Sequence, residues 1–233
     1  MADFVLVHGA WHGAWCWKKL LPALQAAGHR AFAVTLTGLA DRAHLMSAQV
    51  DLHTHVKDVL AVIHNEELQG AVLVGHSYGG MVITGVADQV QDEALSCLVY
   101  LDAIVPEPGD CWSTGQSPET QAQRRAAIAK EGALPPPDPK VFGLTGADHA
   151  WVQRRQTPQP GGCYDTPLDF SPALVQRWPR HFVDCTSPAL PTIDPSRRRV
   201  RSEPGWTVHE IATGHDPMVS APQDLLRVLL QIA

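Results

Sequence analysis

The pentapeptide Gly75-His76-Ser77-Tyr78-Gly79 constrains the fold more strongly than any other stretch of this chain. It follows the apolar run Ala71-Val72-Leu73-Val74 and precedes a helical stretch that continues to about Val90. A serine in this setting occupies a sharp turn between a strand and a helix, where flanking side chains would clash and glycine is needed. We therefore predict that Ser77 projects above the edge of a sheet as a nucleophile, rather than lying in an ordinary glycine-rich turn.

Short apolar runs alternate with helical patterns along much of the chain. Strands are predicted at Phe4–Val7, Arg30–Leu36, Ala71–Val74, Leu95–Leu101, from His181, and at Thr207–Ile211. Helices are predicted at Trp17–Ala27, Val56–His64, Gly80 to about Val90, and Pro222–Ile232. This alternation predicts an α/β protein with a mainly parallel six-stranded sheet and helices on both faces.

One long segment, from Val105 to about Pro179, interrupts the alternation and is rich in proline, glutamine, glycine and tryptophan. A structureless loop of that length is unusual inside a compact domain, and the tryptophans in it need burial. We therefore predict a core formed by residues 1–104 and 181–233, with residues 105–180 inserted as a helical cap.

The composition is that of an ordinary globular protein and argues against several classes of partner. The 233 residues are 45% hydrophobic and 18% charged, with a net charge of −6. No broad basic surface favours nucleic acid, and the short run Arg197-Arg198-Arg199 is expected to be a solvated helix face. No apolar run is long enough for a membrane helix. The five scattered cysteines favour neither a disulfide framework nor a zinc cluster, so we expect a cytoplasmic protein. The sequence predicts no particular oligomeric state.

A serine nucleophile needs a base, and position selects one of the twelve histidines. His215 follows the last predicted strand, so it should lie at the same sheet edge as Ser77. His76 is expected to pack inside the turn. His8 and His12 are spaced like a metal pair, but no further ligand supports a metal site, and structural roles are expected. The remaining histidines near the second helix are expected to face solvent: His44, His53, His55 and His64.

An acyl-transfer site also needs donors for the negative charge that develops on the carbonyl oxygen. The backbone N–H of Tyr78 is one candidate because Tyr78 follows the nucleophile. The glycine-containing loop after the first strand should supply the second donor. Ala10 is our first choice there and Trp11 the second. No glycine-rich turn matches a nucleotide-binding fingerprint, and no cofactor is expected.

Three segments together resemble the α/β-hydrolase superfamily, and more narrowly the bacterial esterases related to plant methylesterases and hydroxynitrile lyases. The segments are Phe4 to Trp15, Gly75 to Gly80, and Thr213 to Met218. The resemblance covers the core and is weak through the cap. It implies the α/β-hydrolase fold, a Ser-Asp-His triad in that chain order, and oxyanion donors at Ala10 and Tyr78. The lyase branch is disfavoured, because its pattern has threonine at Gly9 and lysine at Asp216.

The triad acid departs from the pattern that the resemblance implies. Relatives place an aspartate a few residues after the fifth strand, where this chain has Ser187-Pro188. Asp102 ends the fourth strand at the predicted catalytic edge, and burying it there is costly unless it is paired, so His215 is the expected partner. Asp184 and Asp194 remain open as alternatives.

The expected activity is hydrolysis of small to medium apolar esters through a covalent acyl-enzyme. Lactonase or thioesterase activity on the same triad is an alternative, as is a small-molecule binder that retains the fold without catalysis. The substrate pocket is expected between the sheet edge and a cap that carries Trp112, Trp151 and Trp178.

Overall fold

The computed structural model describes all 233 residues, from Met1 to Ala233. Eight strands are present: β1 Asp3–Val7, β2 Arg30–Val34, β3 Ala71–His76, β4 Leu95–Leu101, β5 Ala133–Leu134, β6 Gln159–Pro160, β7 Arg180–Cys185 and β8 Trp206–Ile211. Ten α-helices are present: α1 Leu21–Ala26, α2 Leu52–Asn65, α3 Gly79–Gln89, α4 Pro118–Glu131, α5 Gly146–Gln153, α6 Gly162–Asp165, α7 Pro172–Gln176, α8 Asp194–Ser202, α9 Pro217–Ser220 and α10 Pro222–Ile232. Four short 3₁₀ helices lie at Ala14–Lys19, Ala40–Leu45, Pro139–Phe142 and Pro191–Ile193.

Six of the strands form one parallel sheet in the order β2-β1-β3-β4-β7-β8, with helices on both faces. This confirms the predicted fold class. β1 and β3 are completely buried over most of their length, as their continuous apolar sequences indicated. The core is one cluster of 56 buried residues that extends from the sheet into the inserted segment, through Trp112 and Phe142 among others.

The register of the sheet brings together two loops at the carboxyl ends of the strands. His76, the last residue of β3, pairs with Leu101, the last residue of β4. Ser77 directly follows β3 and Asp102 directly follows β4. The two residues therefore lie side by side at the ends of neighbouring strands. The backbone supports this placement, because the Ser77 N–H donates to the Leu101 carbonyl at 3.2 Å.

Several element boundaries differ from those that the sequence predicted. The helix expected over Trp17–Ala27 is a 3₁₀ turn followed by α1, because Pro22 occupies the first turn of a new helix. The helix expected from Val56 begins at Leu52, because Asp51 and Thr54 form a capping box. β2 ends at Val34, and the Leu36 N–H donates to His8 Nε2 instead of a neighbouring strand.

The inserted segment contains four α-helices, one 3₁₀ helix and a two-stranded ribbon of its own. The ribbon is antiparallel and pairs Leu134 of β5 with Gln159 of β6. None of the helices in the protein combines the length and the apolar character that a membrane crossing requires.

Candidate active site

Ser77 lies on the turn between β3 and α3 in a left-handed backbone conformation, with φ of 54°. Such a conformation is rare for residues other than glycine and marks a site where surrounding structure holds the backbone under strain. Gly80 makes the close approach on the helix side, since a Cβ there would lie 2.1 Å from the Ile104 carbonyl oxygen. The turn therefore leaves the Ser77 side chain as the group that projects from the sheet.

His215 occupies the loop between β8 and α9 and is almost completely buried. Its Nε2 lies 2.9 Å from the Ser77 hydroxyl oxygen. Two contacts hold its backbone: the His215 N–H donates to the Phe142 carbonyl at 2.9 Å, and His76 Nε2 donates to the His215 carbonyl at 2.8 Å. His76 thus packs against His215, and burial lowers the pKa of His76 well below the ordinary range.

Asp102 lies beside His215 and is fully buried. Its Oδ2 is 2.6 Å from His215 Nδ1, so the imidazole donates to the carboxylate and presents its other nitrogen to Ser77. Asp102 also adopts a left-handed conformation, with φ of 40°. Of the three aspartates considered from the sequence, this is the one that the structure brings to His215.

Asp184 and Asp194 contact a different partner, the guanidinium of Arg197. Arg197 lies 2.5 Å from Asp184, 2.8 Å from Asp194 and 2.6 Å from Asp102. Burial disfavours its charge, but Asp102 and the neighbouring carboxylates outweigh burial and raise the pKa of Arg197 further. The expectation that the arginine run is a solvated face is therefore wrong at Arg197, whose side chain is 9% exposed.

The backbone amides of Tyr78, which follows Ser77, and of Ala10, which follows Gly9, donate to no protein acceptor. The Trp11 amide, our second choice, is occupied, because it donates to Gln159 Oε1 at 3.0 Å. The backbone of Gly9 lies against Ser77, since a Cβ at Gly9 would be 2.8 Å from Ser77 Cβ. That contact also leaves no room for the threonine of the hydroxynitrile lyase pattern.

His8 and His12 both hold carbonyls of the loop that contains Ala10. His8 Nδ1 donates to the Gly9 carbonyl at 2.8 Å, and its Nε2 accepts from Leu36 N–H at 3.1 Å, so the ring is neutral. Burial lowers the pKa of His8 to about 3. Each nitrogen therefore has a structural partner.

His12 differs from His8 because both of its nitrogens face acceptors. Nδ1 donates to the Ala10 carbonyl at 2.7 Å, and Nε2 lies 3.3 Å from the buried Asp216 carboxylate. Burial alone would lower the pKa of His12, but Asp216 outweighs burial and raises it. Burial likewise opposes the charge of Asp216, yet His12 lowers the pKa of Asp216 to about 2. A buried contact between His12 and Asp216, an ion pair when His12 is protonated, thus joins the Ala10 loop to the His215 loop.

One group of side chains has the spacing of a metal site. Ligand atoms of His76, His215 and Asp216 lie within 4.8 Å of one another. Both ring nitrogens of His215 are engaged, with Ser77 and Asp102, and His76 Nε2 is bonded to the His215 carbonyl. A metal bound here would have to break those contacts, so the donor set fits the serine site better than a metal centre.

Sequence reasoning missed three buried polar residues that surround the site. His55 is fully buried between Tyr78 OH at 3.1 Å and the Thr37 carbonyl at 2.9 Å, which corrects the expectation that it faces solvent. The helical spacing of His55 with Leu52 and Val59 was a usable signal. Arg197 was signalled likewise, because it shares a helix face with apolar neighbours four residues before and three after.

The third missed residue, Gln159, is fully buried in the inserted segment and carries no comparable signal, since it lies between two prolines. Of the three predicted cap tryptophans, Trp112 lies near the site, with its ring 5.3 Å from Tyr78 and 5.4 Å from Trp11. Trp151 packs on Trp15 instead. Trp178 packs at the far end of α3, with its indole nitrogen 3.5 Å from the Ala87 carbonyl.

A parallel sheet that carries serine on a strand-to-helix turn, in line with histidine and aspartate, has the arrangement of the serine hydrolases. Residues 4–228 match the Alpha/beta hydrolase family. A carbendazim hydrolyzing esterase of Nocardioides sp. (strain SG-4G) is 42% identical to this chain and covers 98% of both chains. Methylesterase 1 of Arabidopsis thaliana is 28% identical, over 99% of this chain and 95% of its own length.

The fold has close counterparts among solved structures. An extracellular α/β-hydrolase from a Paenibacillus species superposes with a TM-score of 0.86 at 20% identity, covering 99% of this chain and 98% of that chain. This chain therefore belongs to the Alpha/beta hydrolase family, and the resemblance to esterases of the methylesterase branch is confirmed.

Proposed function

We propose that this chain is a serine carboxylesterase that cleaves small to medium apolar esters through a covalent acyl-enzyme on Ser77. The observation that carries the proposal is the hydrogen-bonded line from Ser77 through His215 to Asp102, with distances of 2.9 and 2.6 Å. The esterase relative at 42% identity supports the same chemistry.

In the first half of the reaction, the Ser77 oxygen attacks the ester carbonyl carbon. The hydroxyl proton passes to His215 Nε2 as the carbon–oxygen bond forms, and the carbonyl electron pair moves onto its oxygen. Asp102 stabilises the resulting imidazolium through Nδ1 and holds the ring in the tautomer that accepts from serine. The tetrahedral intermediate then breaks its bond to the alkoxy oxygen, which takes the proton from His215 and leaves as the alcohol.

In the second half, water repeats the sequence on the acyl-enzyme. His215 takes a proton from water as its oxygen bonds to the acyl carbon, and the bond to Ser77 breaks with return of the proton to the serine oxygen. The products are the carboxylic acid and free enzyme. The amides of Ala10 and Tyr78 would bind the oxyanion in both halves, and loss of one such donor typically lowers kcat by about 10²–10³-fold.

We further propose that residues 105–180 act as a cap that shapes the substrate pocket. Trp112 packs on Trp11, which follows the proposed donor Ala10, and on Tyr78, whose amide is the other proposed donor. An aromatic wall of this kind favours esters with an apolar acyl or alcohol group over highly charged ones.

The test is turnover of p-nitrophenyl acetate and p-nitrophenyl butyrate by the purified protein and by Ser77→Ala. The variant should fold normally and lose at least about 10³-fold in kcat, because the remaining groups cannot form the acyl-enzyme. A serine-reactive phosphonate should inactivate the wild type at a stoichiometry of one. Turnover by Ser77→Ala at the wild-type rate would contradict the proposal. Parallel assays of lactones and thioesters show which type of bond the wild type cleaves fastest.

Carbendazim is a second candidate substrate, because the relative named for its hydrolysis covers 98% of this chain. Its disappearance with wild-type enzyme, followed by chromatography, tests the suggestion directly. Turnover of p-nitrophenyl esters without turnover of carbendazim would restrict the activity to the simpler esters.

A further inference from the structure

The peptide group between Ala10 and Trp11 is held at both of its polar atoms. Its carbonyl oxygen, which belongs to Ala10, accepts from His12 Nδ1 at 2.7 Å. Its N–H, which belongs to Trp11, donates to Gln159 Oε1 at 3.0 Å. The proposed oxyanion donor, the Ala10 N–H, belongs to the peptide group immediately before. The direction of the Ala10 N–H therefore depends on the orientation of the Ala10–Trp11 peptide plane. His12 of the core and Gln159 of the cap hold that plane in place.

Trp11 makes two more hydrogen bonds to the inserted segment, one as donor and one as acceptor. Its indole Nε1 donates to the Leu134 carbonyl at 3.0 Å, and its own carbonyl accepts from the Thr157 N–H at 3.0 Å. Leu134 and Gln159 are cross-strand partners in the β5–β6 ribbon. The ribbon thus bonds to the amide and the indole of Trp11, and Thr157, two residues before β6, bonds to its carbonyl.

Trp11 needs this support, because its backbone is left-handed, with φ of 65°. A bulky residue rarely adopts that conformation unless its surroundings impose it. Gln159 is fully buried and Trp11 is 7% exposed, so water cannot readily replace the lost acceptor. Without the Gln159 oxygen, the buried Trp11 N–H would lack a partner, which favours rotation of the peptide plane towards another acceptor. Such a rotation would turn the neighbouring Ala10 N–H away from the oxyanion.

We propose that Gln159 is a positioning residue that orients the Ala10 amide through Trp11, which makes the cap ribbon part of the apparatus that stabilises the transition state. The proposal rests on the proposed function, in which Ala10 is an oxyanion donor. Gln159 would therefore act through Trp11 and not on the substrate or the reacting atoms directly. Its effect should therefore appear in kcat, where the oxyanion forms, and much less in KM.

The experiment compares three single substitutions with the wild type. Gln159→Met keeps the length of the side chain and removes the acceptor, whereas Gln159→Glu keeps a carboxyl oxygen in the acceptor position. Gln156→Met is the matched control, since Gln156 is a half-buried residue of the same segment without a hydrogen bond to Trp11. Each protein is assayed with p-nitrophenyl butyrate for kcat and KM, and with an aryl trifluoromethyl ketone, which forms a tetrahedral oxyanion adduct with serine.

We expect kcat to fall about 10–100-fold in Gln159→Met, the range that follows from displacing a catalytic group by about 1 Å, with KM changed little. The inhibition constant of the ketone should rise in the same proportion. Gln159→Glu should restore most of both values, and Gln156→Met should match the wild type. Titration with the phosphonate gives the concentration of reactive Ser77 and corrects kcat for any unfolded fraction.

Two outcomes overturn the inference. In one, Gln159→Met retains wild-type kcat and ketone affinity. In the other, its KM rises while both of those values stay unchanged, which would make Gln159 a wall of the substrate pocket. If Gln159→Met does not fold, Gln159→Asn provides the same comparison, because its shorter amide withdraws the oxygen from Trp11. Failure of the proposed function is distinguishable, since the wild type would then show no Ser77-dependent turnover at all.

Discussion

At the scale of single residues, the site is organised around a carboxylate that could not stay buried and charged alone. Asp102 is completely buried, and its two oxygens face His215 and Arg197 at 2.6 Å each. Arg197 is shared in turn with Asp184 and Asp194. Removing one partner of a buried ion pair leaves an uncompensated charge, which costs about 3–5 kcal/mol. Arg197 therefore fixes the position of Asp102 as well as balancing its charge.

The substitutions Asp102→Asn and Asp194→Asn distinguish the proposed triad acid from an aspartate that only pairs with Arg197. Asp102→Asn should fold and lose about 10⁴-fold in kcat, because an amide cannot hold His215 in the required tautomer or stabilise its positive form. Asp194→Asn should stay within a few-fold of wild type, since Asp194 is 48% exposed and contacts only Arg197 in this network. Paired assays with p-nitrophenyl butyrate and thermal melting measure both effects. The reverse ranking would make Asp194 the acid.

At the scale of elements, the turn between β3 and α3 depends on how closely its backbone approaches the loop after β4. The Ile104 N–H donates to the Ser77 carbonyl at 3.0 Å, and Gly80 lies against the Ile104 carbonyl. The two loops that carry Ser77 and Asp102 are thereby fastened to each other below the site. The helix α8 completes this edge, because Arg197 and Arg201 point inward from successive turns to Asp184 at 2.5 and 2.6 Å.

Gly80→Ala tests this close approach. Alanine at a helical position gains about 1 kcal/mol over glycine from propensity. A Cβ at 2.1 Å from a backbone oxygen forces the backbone apart, however, and overpacking of this kind costs about 1–3 kcal/mol or more. We expect a lower free energy of unfolding in urea together with a lower kcat, because Ser77 moves away from His215. An unchanged midpoint and an unchanged kcat would show that the two loops separate without strain.

At the scale of the whole molecule, buried polar contacts join parts of the chain that are far apart in sequence. His12 and Asp216 connect the loop after β1 to the loop after β8, and Gln159 connects the same first loop to the inserted segment. Residues from the beginning, the middle and the end of the chain are therefore joined by buried hydrogen bonds next to the site. Perturbing such a contact should affect global stability as well as catalysis.

The His12–Asp216 pair gives the stability of the protein a specific dependence on pH. The pKa of His12 is raised in the folded protein, so its contribution is fully present below the unfolded value of 6.5 and is lost as pH rises through the folded value. The pKa of Asp216 is lowered from 3.8 to about 2, so its contribution is present above 3.8 and is lost as pH falls towards 2. The pair should stabilise the fold most between about pH 4 and 6.5.

Urea unfolding of wild type and His12→Gln across this range measures the effect. The difference in their free energies of unfolding should be largest near pH 5–6 and should shrink at alkaline pH, as His12 loses its proton in the wild type. His64→Gln, at the exposed end of α2, serves as a control with little expected effect. A difference for His12→Gln that grows with rising pH would show that His12 is neutral in the folded protein.

Much of the fold followed from patterns that are local in the sequence. Continuous apolar runs marked the buried parallel strands, and β4 and α10 have the predicted bounds. The turn that carries Ser77 was recognisable because its glycines, its preceding strand and its following helix are adjacent along the chain. The position of His215 directly after the last strand likewise predicted that it lies at the same edge as Ser77, since the strands of a parallel sheet end at a shared edge.

The tertiary structure decided what depends on contacts between distant residues. His215 and Asp102 are 113 positions apart, and the sequence left three aspartates open because no local pattern shows which of them reaches His215. Arg197 was expected to be solvated because it lies in a run of charges, although its spacing with Ile193 and Val200 indicated a buried face. Its partner Asp102 lies 95 positions away, and only the tertiary structure brings the two together. Gln159 lies 148 residues from Trp11, and no periodicity links them. Local patterns determine which segments form strands, helices and turns, whereas the pairing of buried polar groups depends on how those segments pack.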